Sequence, residues 1–262
     1  MDARTPLIGT AGWSIRPEHR EAFPSEGSHL ERYATRFNAV EINSSFYRPH
    51  RRATYERWAD TVGDVFRFSV KLPKTISHAV PTADSEIAIE RFAQDVQGLG
   101  DKLAVVLIQF PPSFAYDEAS AGQLLRRLQK SLPCPLACEP RHASWFGKNV
   151  DAMLDGLGIA RVAADPAVVP SAARPGGWPG LLYRRLHGSP KVYYSNYEPD
   201  VLEELGATLS AESKAGLETW CILDNTALGC ATTNALHLRG DTDRDGRLDH
   251  PIKTPAPFTS RS

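Results

Sequence analysis

Polar and charged side chains recur two residues apart where this chain's apolar stretches end. Glu41, Asn43, Ser45 and Tyr47 alternate in AVEINSSFY, Ser69 and Lys71 in FSVKLP, Glu139 and Arg141 in LACEPR, and Arg185 and His187 in YRRLHG. A β-strand alternates faces with period two, so each set points to one side of its strand. Strands buried on both faces read as apolar runs, so charges repeated at one end of several strands need a reason, and an active-site mouth supplies one. The residue types suit acid–base chemistry on an anionic ligand. Glu41 and Glu139 could act as an acid/base pair, with His187 as the proton shuttle near neutral pH. Lys71 is a cation or, with a depressed pKa, a Schiff-base amine. Arg141 and Arg185 suit a phosphate or carboxylate, with Gln109 and Asn225 as further polar groups at strand ends. The same residues could instead form a salt-bridged interior with no chemistry, Lys71 neutralising Glu41 and Arg141 neutralising Glu139.

Eight strand candidates position these groups: 7–13, 39–47, 67–73, 103–111, 135–141, 159–166, 182–188 and 220–226. Helical apolar stripes lie at 29–37, 84–99, 118–132 and 149–157. Strand alternating with helix means parallel pairing, and eight units predict a single α/β domain, a (β/α)8 TIM-type barrel. Between strands six and seven, DPAVVPSAARPGGWPG is too rich in Pro and Gly for a regular helix, and after strand eight only a short helix at 231–238 is expected. The barrel is therefore expected to be irregular at both places. Residues 1–238 form the predicted domain and 239–262 a polar, flexible tail.

Composition narrows the function classes. With 262 residues, 42% hydrophobic and 23% charged, the chain can bury a full core. A formal net charge of −1 argues against a broadly basic nucleic-acid surface. No apolar run approaches a membrane span, and MDARTPLIGTAGW lacks the order of a signal peptide. Cys134, Cys138, Cys221 and Cys230 fit neither a zinc site nor a CxxC pair and read as reduced thiols of a cytoplasmic protein. Dinucleotide, P-loop, HExxH and GxSxG motifs are absent. No metal ligand set is assigned, because the arginines would compete for the carboxylates. No cofactor is indicated by a complete motif. DTDRDGRLD places Asp241, Asp243 and Asp245 like the opening of a calcium loop, but Ile252 stands where the bidentate Glu belongs.

The segments EINSSFY, FSVKLPKTISH, LIQFPPSF, CEPRHASWF, YRRLHG and LDNT…NA, taken in order, resemble the domain-of-unknown-function family 72, the YecE-like family. The resemblance runs from Leu7 to Leu238 and implies a TIM-type barrel, not a reaction. It implies importance for Glu41, Asn43, Tyr47, Lys71, His78, Gln109, Glu139, Arg141, Arg185, His187, Gly188, Asn225 and Asn234; Leu223 departs from it, standing where an aromatic is usual. The resulting expectation is an enzyme, a hydrolase, lyase or isomerase. It would act on an anionic sugar- or phosphate-bearing substrate through Glu41, Glu139, His187 and Lys71. Asn43, Tyr47, His78, Gln109, Arg141, Arg185 and Asn225 would bind that substrate. The alternatives are a non-catalytic binder of an anionic metabolite and, less favoured, a nucleic-acid phosphodiester enzyme or binder. The sequence does not specify an oligomeric state.

Overall fold

Period-two alternation sorts the strand residues onto two faces, and the two faces collect different side chains. A computed structural model of the chain describes residues 5–78 and 83–241. Along it run β1 (Leu7–Thr10), α1 (His29–Ala34), β2 (Ala39–Ile42), α2 (Arg52–Thr61), β3 (Arg67–Lys71), α3 (Lys74–Ser77), α4 (Ala83–Val96) and β4 (Leu103–Gln109). Then come α5 (Glu118–Ser131), β5 (Leu136–Glu139), α6 (Lys148–Gly156), β6 (Ile159–Arg161), β7 (Ala163–Asp165), β8 (Gly176–Gly177), β9 (Leu181–Leu186), α7 (Pro199–Lys214), β10 (Glu218–Leu223) and α8 (Cys230–Leu238).

The strands form two sheets, one ordered β1-β10-β9-β7 and the other β2-β3-β4-β5-β6-β8. Every ladder is parallel except β6 with β8. Ala39, Val105, Leu107, Ala137, Ala160, Tyr183, Trp220 and Ile222, drawn from both sheets, share one buried cluster. The intervening residues, such as Val40, Phe68, Val70, Val106, Ile108 and Cys221, pack against the helices in a larger one. The helices bury the stripes their spacing predicts: Leu124, Leu125 and Leu128 in α5, Leu30 and Tyr33 in α1. Asp117 caps α5 by accepting from Ser120 N at 2.9 Å, and Ser28 with Glu31 forms a capping box on α1.

Several expectations are corrected. The strand predicted over 39–47 ends at Ile42, because Asn43 turns into the helical region (φ −82°, ψ −21°) and Ser44–Phe46 forms a 3-10 turn. Asn43, Ser45 and Tyr47 therefore do not continue the face of Glu41. The stretch predicted as one strand over 159–166 is split at Val162: β6 pairs with β5, while β7 pairs with β9. Three helices, α2, α3 and α7, lie outside the predicted stripes. In α2 only Tyr55 is fully buried, and Trp58 and Ala59, at helical spacing from it, pack partly buried against the core, a short stripe. In α7, Pro199 opens the helix and Leu202 and Leu209 are buried, a legible but weak signal. The Pro- and Gly-rich stretch before β9 holds a 3-10 turn at Pro170–Ala173 and the short β8, with no α-helix. Of the calcium-loop pattern, Asp243 and Asp245 lie outside the described residues. Asp241 sits 3.9 Å from Arg36 Nη1.

Side chains stitch β1 to β2. Asn38 acts as a spare peptide group, its Oδ1 accepting from Ile8 N at 3.0 Å and its Nδ2 donating to Pro6 O at 2.9 Å. One turn of chain further, the buried Tyr33 hydroxyl donates to Ala39 O at 3.1 Å and accepts from Thr10 N at 2.8 Å. Gly9 leaves room for this approach, since a Cβ there would lie 2.0 Å from Ala39 O. Beyond it Gly12 N donates to Glu41 O at 2.8 Å, beside a parallel bridge between Ala11 and Glu41. Tyr33→Phe removes the one hydroxyl that serves both buried backbone groups. The expected loss is about 1–3 kcal/mol in urea unfolding, with an unchanged m-value; an unaltered midpoint would mean that the seam does not depend on it.

Candidate functional site

Carried to the carboxyl ends of the strands, the inward alternation turns from apolar to charged. Ala39 is followed by Glu41, Ala137 by Glu139, Tyr183 by Arg185 and Ile222 by Asp224, while Ser69 and Lys71 share the inward side of β3. Glu41, Glu139 and Arg185 are completely buried, His187 is 1% exposed and Asp224 is 3% exposed.

Arg185 is the hub. Its Nε donates to Glu41 Oε2 at 2.9 Å and its Nη2 to Glu41 Oε1 at 2.6 Å, a bidentate pair across the two sheets. Nη2 also reaches Asp224 Oδ2 at 3.0 Å, and Nη1 reaches Glu139 Oε2 at 2.7 Å. Burial alone would pull the guanidinium pKa down, but the three carboxylates outweigh it and hold it well above its ordinary value. Tyr183 hydroxyl supports Glu41 at 3.1 Å and lies 2.8 Å from Ser69 Oγ.

His187 lies between two acceptors. Its Nε2 is 2.8 Å from Glu139 Oε1 and its Nδ1 is 3.0 Å from Asp224 Oδ2. Burial disfavours the imidazolium, yet the Glu139 charge and hydrogen bonds to both carboxylates raise its pKa overall. Burial likewise opposes ionisation of Glu139. Arg185, His187 and Arg141 reverse this and hold its carboxyl well below the usual range. Asp224 is lowered in the same way, with Arg185 and His187 overcoming burial. Arg141 Nη1 donates to Glu139 Oε1 at 3.0 Å and Gln109 Nε2 approaches that oxygen at 3.4 Å. Glu41, Glu139 and Asp224 are thus matched by Arg185, Arg141 and protonated His187.

Lys71 is left over. It is 5% exposed and has no ion-pair or hydrogen-bond partner among the described residues; its Nζ sits 4.3 Å above the centre of the Phe46 ring. Burial first, and the Arg185 charge second, lower its pKa, against the pull of Glu41, Glu139 and Asp224.

The other sequence-predicted residues lie outside the Arg185 ion-pair network, Tyr47 and His78 packing on the Phe46 ring under Lys71. Tyr47 is 69% exposed. Asn43 is half-buried, with an Oδ1 that has no partner. His78 is exposed, bonded to Ser77 Oγ at 2.8 Å and 5.2 Å from the Phe46 ring. Asn225 is turned away from the charges and donates to Ser195 O at 2.9 Å and Asn234 Oδ1 at 2.8 Å, fixing the loop after β9. In that loop Gly188 has φ +93°, and a Cβ there would meet Ser195 O at 2.9 Å. Sequence reasoning left Asp224 and Tyr183 out of the acid–base and anion-binding residues. Strand parity carried the signal for both, Asp224 following Trp220 and Ile222, and Tyr183 preceding Arg185. A cavity of about 530 Å³ lies apart, lined by Pro49, His50, Ile76, Arg91, Phe92 and Asp95 and by none of the strand-end charges. Among the described residues no group of three or more His, Cys, Asp or Glu is arranged to hold a metal ion, and no helix is long and apolar enough to cross a membrane.

This geometry makes opposite predictions for the two cations. Arg185→Met strands three buried carboxylates and is expected to cost about 3–5 kcal/mol, whereas Lys71→Met removes a buried cation with no partner and is expected to raise the unfolding midpoint. A Lys71→Met variant as damaged as Arg185→Met would show that Lys71 is paired after all. The pH profile has a definite sign. Glu139 and Asp224, lowered in the fold, stabilise it above their unfolded values of about 4.5 and 3.8 and lose that contribution as pH falls through their folded values. His187, raised in the fold, contributes fully below about 6.5 and loses it as pH rises through its folded value. Stability should therefore peak between about pH 4.5 and 6.5, and His187→Asn should flatten the alkaline decline, read by chemical denaturation at each pH.

The chain matches the family described as "Protein of unknown function DUF72" over residues 7–257, further toward the C-terminus than the motifs at Leu7 to Leu238 reach. It is 31% identical over 175 residues to the UPF0759 protein YecE of Escherichia coli K12, covering 64% of this chain and 61% of that protein. It is 28% identical over 148 residues to the UPF0759 protein YunF of Bacillus subtilis 168, covering 53% of this chain and 51% of that protein. These matches thus span about half to three-fifths of the length of those relatives. Among solved structures it is similar to a DUF72 family protein from Enterococcus faecalis V583, with TM-score 0.75, 21% identity and coverage of 90% of this chain and 94% of that one. A DUF72 family protein from Thermotoga maritima MSB8 gives TM-score 0.70, 23% identity and coverage of 90% and 98%. With the strand-end residues in place and the family matched along nearly its whole length, the chain belongs to the DUF72 family.

Proposed function

We propose that the two sheets are halves of one (β/α)8-type barrel and that the chain is an enzyme working on a small anionic substrate at the carboxyl ends of its strands. Support for closure comes from the β1–β2 stitching and from β6 and β7, which hand a single stretch of chain from one sheet to the other across Val162. The substrate is a sugar- or phosphate-bearing anion, and the reaction a lyase, isomerase or hydrolase step. One observation carries the reading: the cluster's carboxylates are already matched by Arg185, Arg141 and His187, so the buried Lys71 ammonium lacks a counter-charge that an incoming anion would supply.

The roles follow from which donors remain open. Arg185 spends its donors on the protein's own carboxylates, so it frames the site rather than gripping ligand. Arg141 is half-buried and engages Glu139 through Nη1, so its remaining donors can meet an anion beside Lys71. His187, its pKa raised by Glu139 and Asp224, is the group suited to give up a proton, with Glu139 beside it. The non-catalytic reading has its own support, since Glu139 and both His187 nitrogens are fully engaged with protein partners.

Calorimetry with inorganic phosphate tests the reading. Wild-type protein is expected to bind it, and Lys71→Met to weaken binding by about 2–5 kcal/mol, Arg141→Gln by less. Equal affinity in the wild type and both variants would remove Lys71 and Arg141 from the ligand site. A bound sugar phosphate recovered chemically unchanged after long incubation would favour the binding module over the enzyme.

A further inference from the structure

We infer that Lys71 is the nucleophile of a carbonyl reaction, its amine condensing with an aldehyde or ketone whose carboxylate or phosphate is held by Arg141. The inference rests on the anion-binding reading of the same site. Its geometric basis is the isolation of Lys71. An amine on the inward face of β3, 5% exposed and without a partner among the described residues, is stabilised as a cation only by the Phe46 ring and by carboxylates that already serve other cations. Structural lysines in interiors are normally paired, because an unpaired buried ammonium is costly. Here Glu41 goes to Arg185, while Glu139 and Asp224 divide between Arg185 and His187. Burial also lowers the Lys71 pKa, in the direction that favours the free amine.

The step balances without an oxidant or reductant. The Lys71 nitrogen lone pair forms a C–N bond to the carbonyl carbon, and one amine proton passes to the former carbonyl oxygen. That oxygen takes a second proton from the solvent and leaves as water, so the step consumes one solvent proton overall. The result is a positively charged iminium, in which a C=N double bond joins the substrate carbon to the Lys71 nitrogen and that nitrogen keeps one proton. The product cation stays at Nζ, where the fields of Glu41, Glu139 and Asp224 favour positive charge. An iminium draws electrons from the neighbouring carbon, which promotes loss of a proton or cleavage of a C–C bond there. Within the proposed classes this selects lyase or isomerase chemistry on an anionic carbonyl compound over hydrolysis. An ammonium that merely anchors the anion would form no such bond, and Lys71→Arg separates the two roles because it keeps the charge and lacks the nucleophile.

The experiment incubates the full chain with pyruvate, and separately with dihydroxyacetone phosphate, in the presence of cyanoborohydride at neutral pH, followed by peptide mapping. Lys71 is expected to acquire the reduced adduct at least about tenfold faster than the exposed Lys148 and Lys214, with inorganic phosphate slowing it and Arg141→Gln reducing it. Adduct formation at Lys71 no faster than at Lys148 and Lys214, with both probes, overturns the inference, and this comparison needs no variant to fold. Phosphate calorimetry on the wild type and Lys71→Arg separates the two levels. Phosphate binding retained in both, with no preferential Lys71 adduct, leaves the anion site standing and removes the nucleophile. A Lys71 adduct indifferent to phosphate sustains the nucleophile and removes the anion site. Absence of both removes both.

Discussion

A guanidinium with no access to water has to be surrounded by oxygen acceptors, and Arg185 dictates how the interior of this protein is arranged. Three carboxylates from β2, β5 and the end of β10 converge on it. Each of them is itself buried and would raise its own desolvation cost without that cation. Since Glu41 belongs to one sheet and Arg185 to the other, the bidentate pair also ties the two sheets together at their carboxyl ends. His187 has a carboxylate at each ring nitrogen, which favours its protonated form against the effect of burial.

The other end of the interior is built on the opposite principle. Trp220 and Tyr183 stack there with ring centres 5.7 Å apart, among Leu107, Ala137 and Leu181. Tyr183 marks the boundary, its ring in the apolar layer and its hydroxyl on Glu41 and Ser69. An apolar floor under a charge-balanced layer fixes the side chains above it, and Lys71 sits at the edge of that layer as the member whose charge the protein does not cancel. The arrangement holds a strained electrostatic element in place with rigid neighbours, a common way to keep a reactive group poised.

Much of this was legible because strand parity is a hard geometric rule. Glu41, Lys71, Glu139, Arg185 and His187 could be placed together from period-two spacing and position at strand ends alone. The rule fails where the backbone leaves the strand, as it does at Asn43, and no pattern of polar residues reveals that turn; Tyr47 was misplaced for this reason. Asn225 attracted attention ahead of its neighbour, although parity from Trp220 and Ile222 favours Asp224. Pairing partners were the least accessible feature: sequence alone could not say that Arg185 would be saturated by carboxylates while Lys71 stayed alone. The stripe of α2, Tyr55, Trp58 and Ala59, is short and set among charged residues, so its signal in the sequence is weak.

The pairing of β1 with β10 places Leu7 opposite Trp220, so one of the longest sequence separations in the chain lies within a parallel ladder. Arg185 follows Glu41 and Glu139 in the same direction of synthesis. While the chain emerges from the ribosome, the two glutamates are made long before their cation and must stay hydrated, which delays collapse of the charged end until β9 arrives. Contacts of such long range slow folding, and the half-built sheet β2 to β6 meanwhile presents open edges. Nascent chains that have passed β6 but not β9 thus hold both glutamates without the Arg185 that pairs with them in the fold.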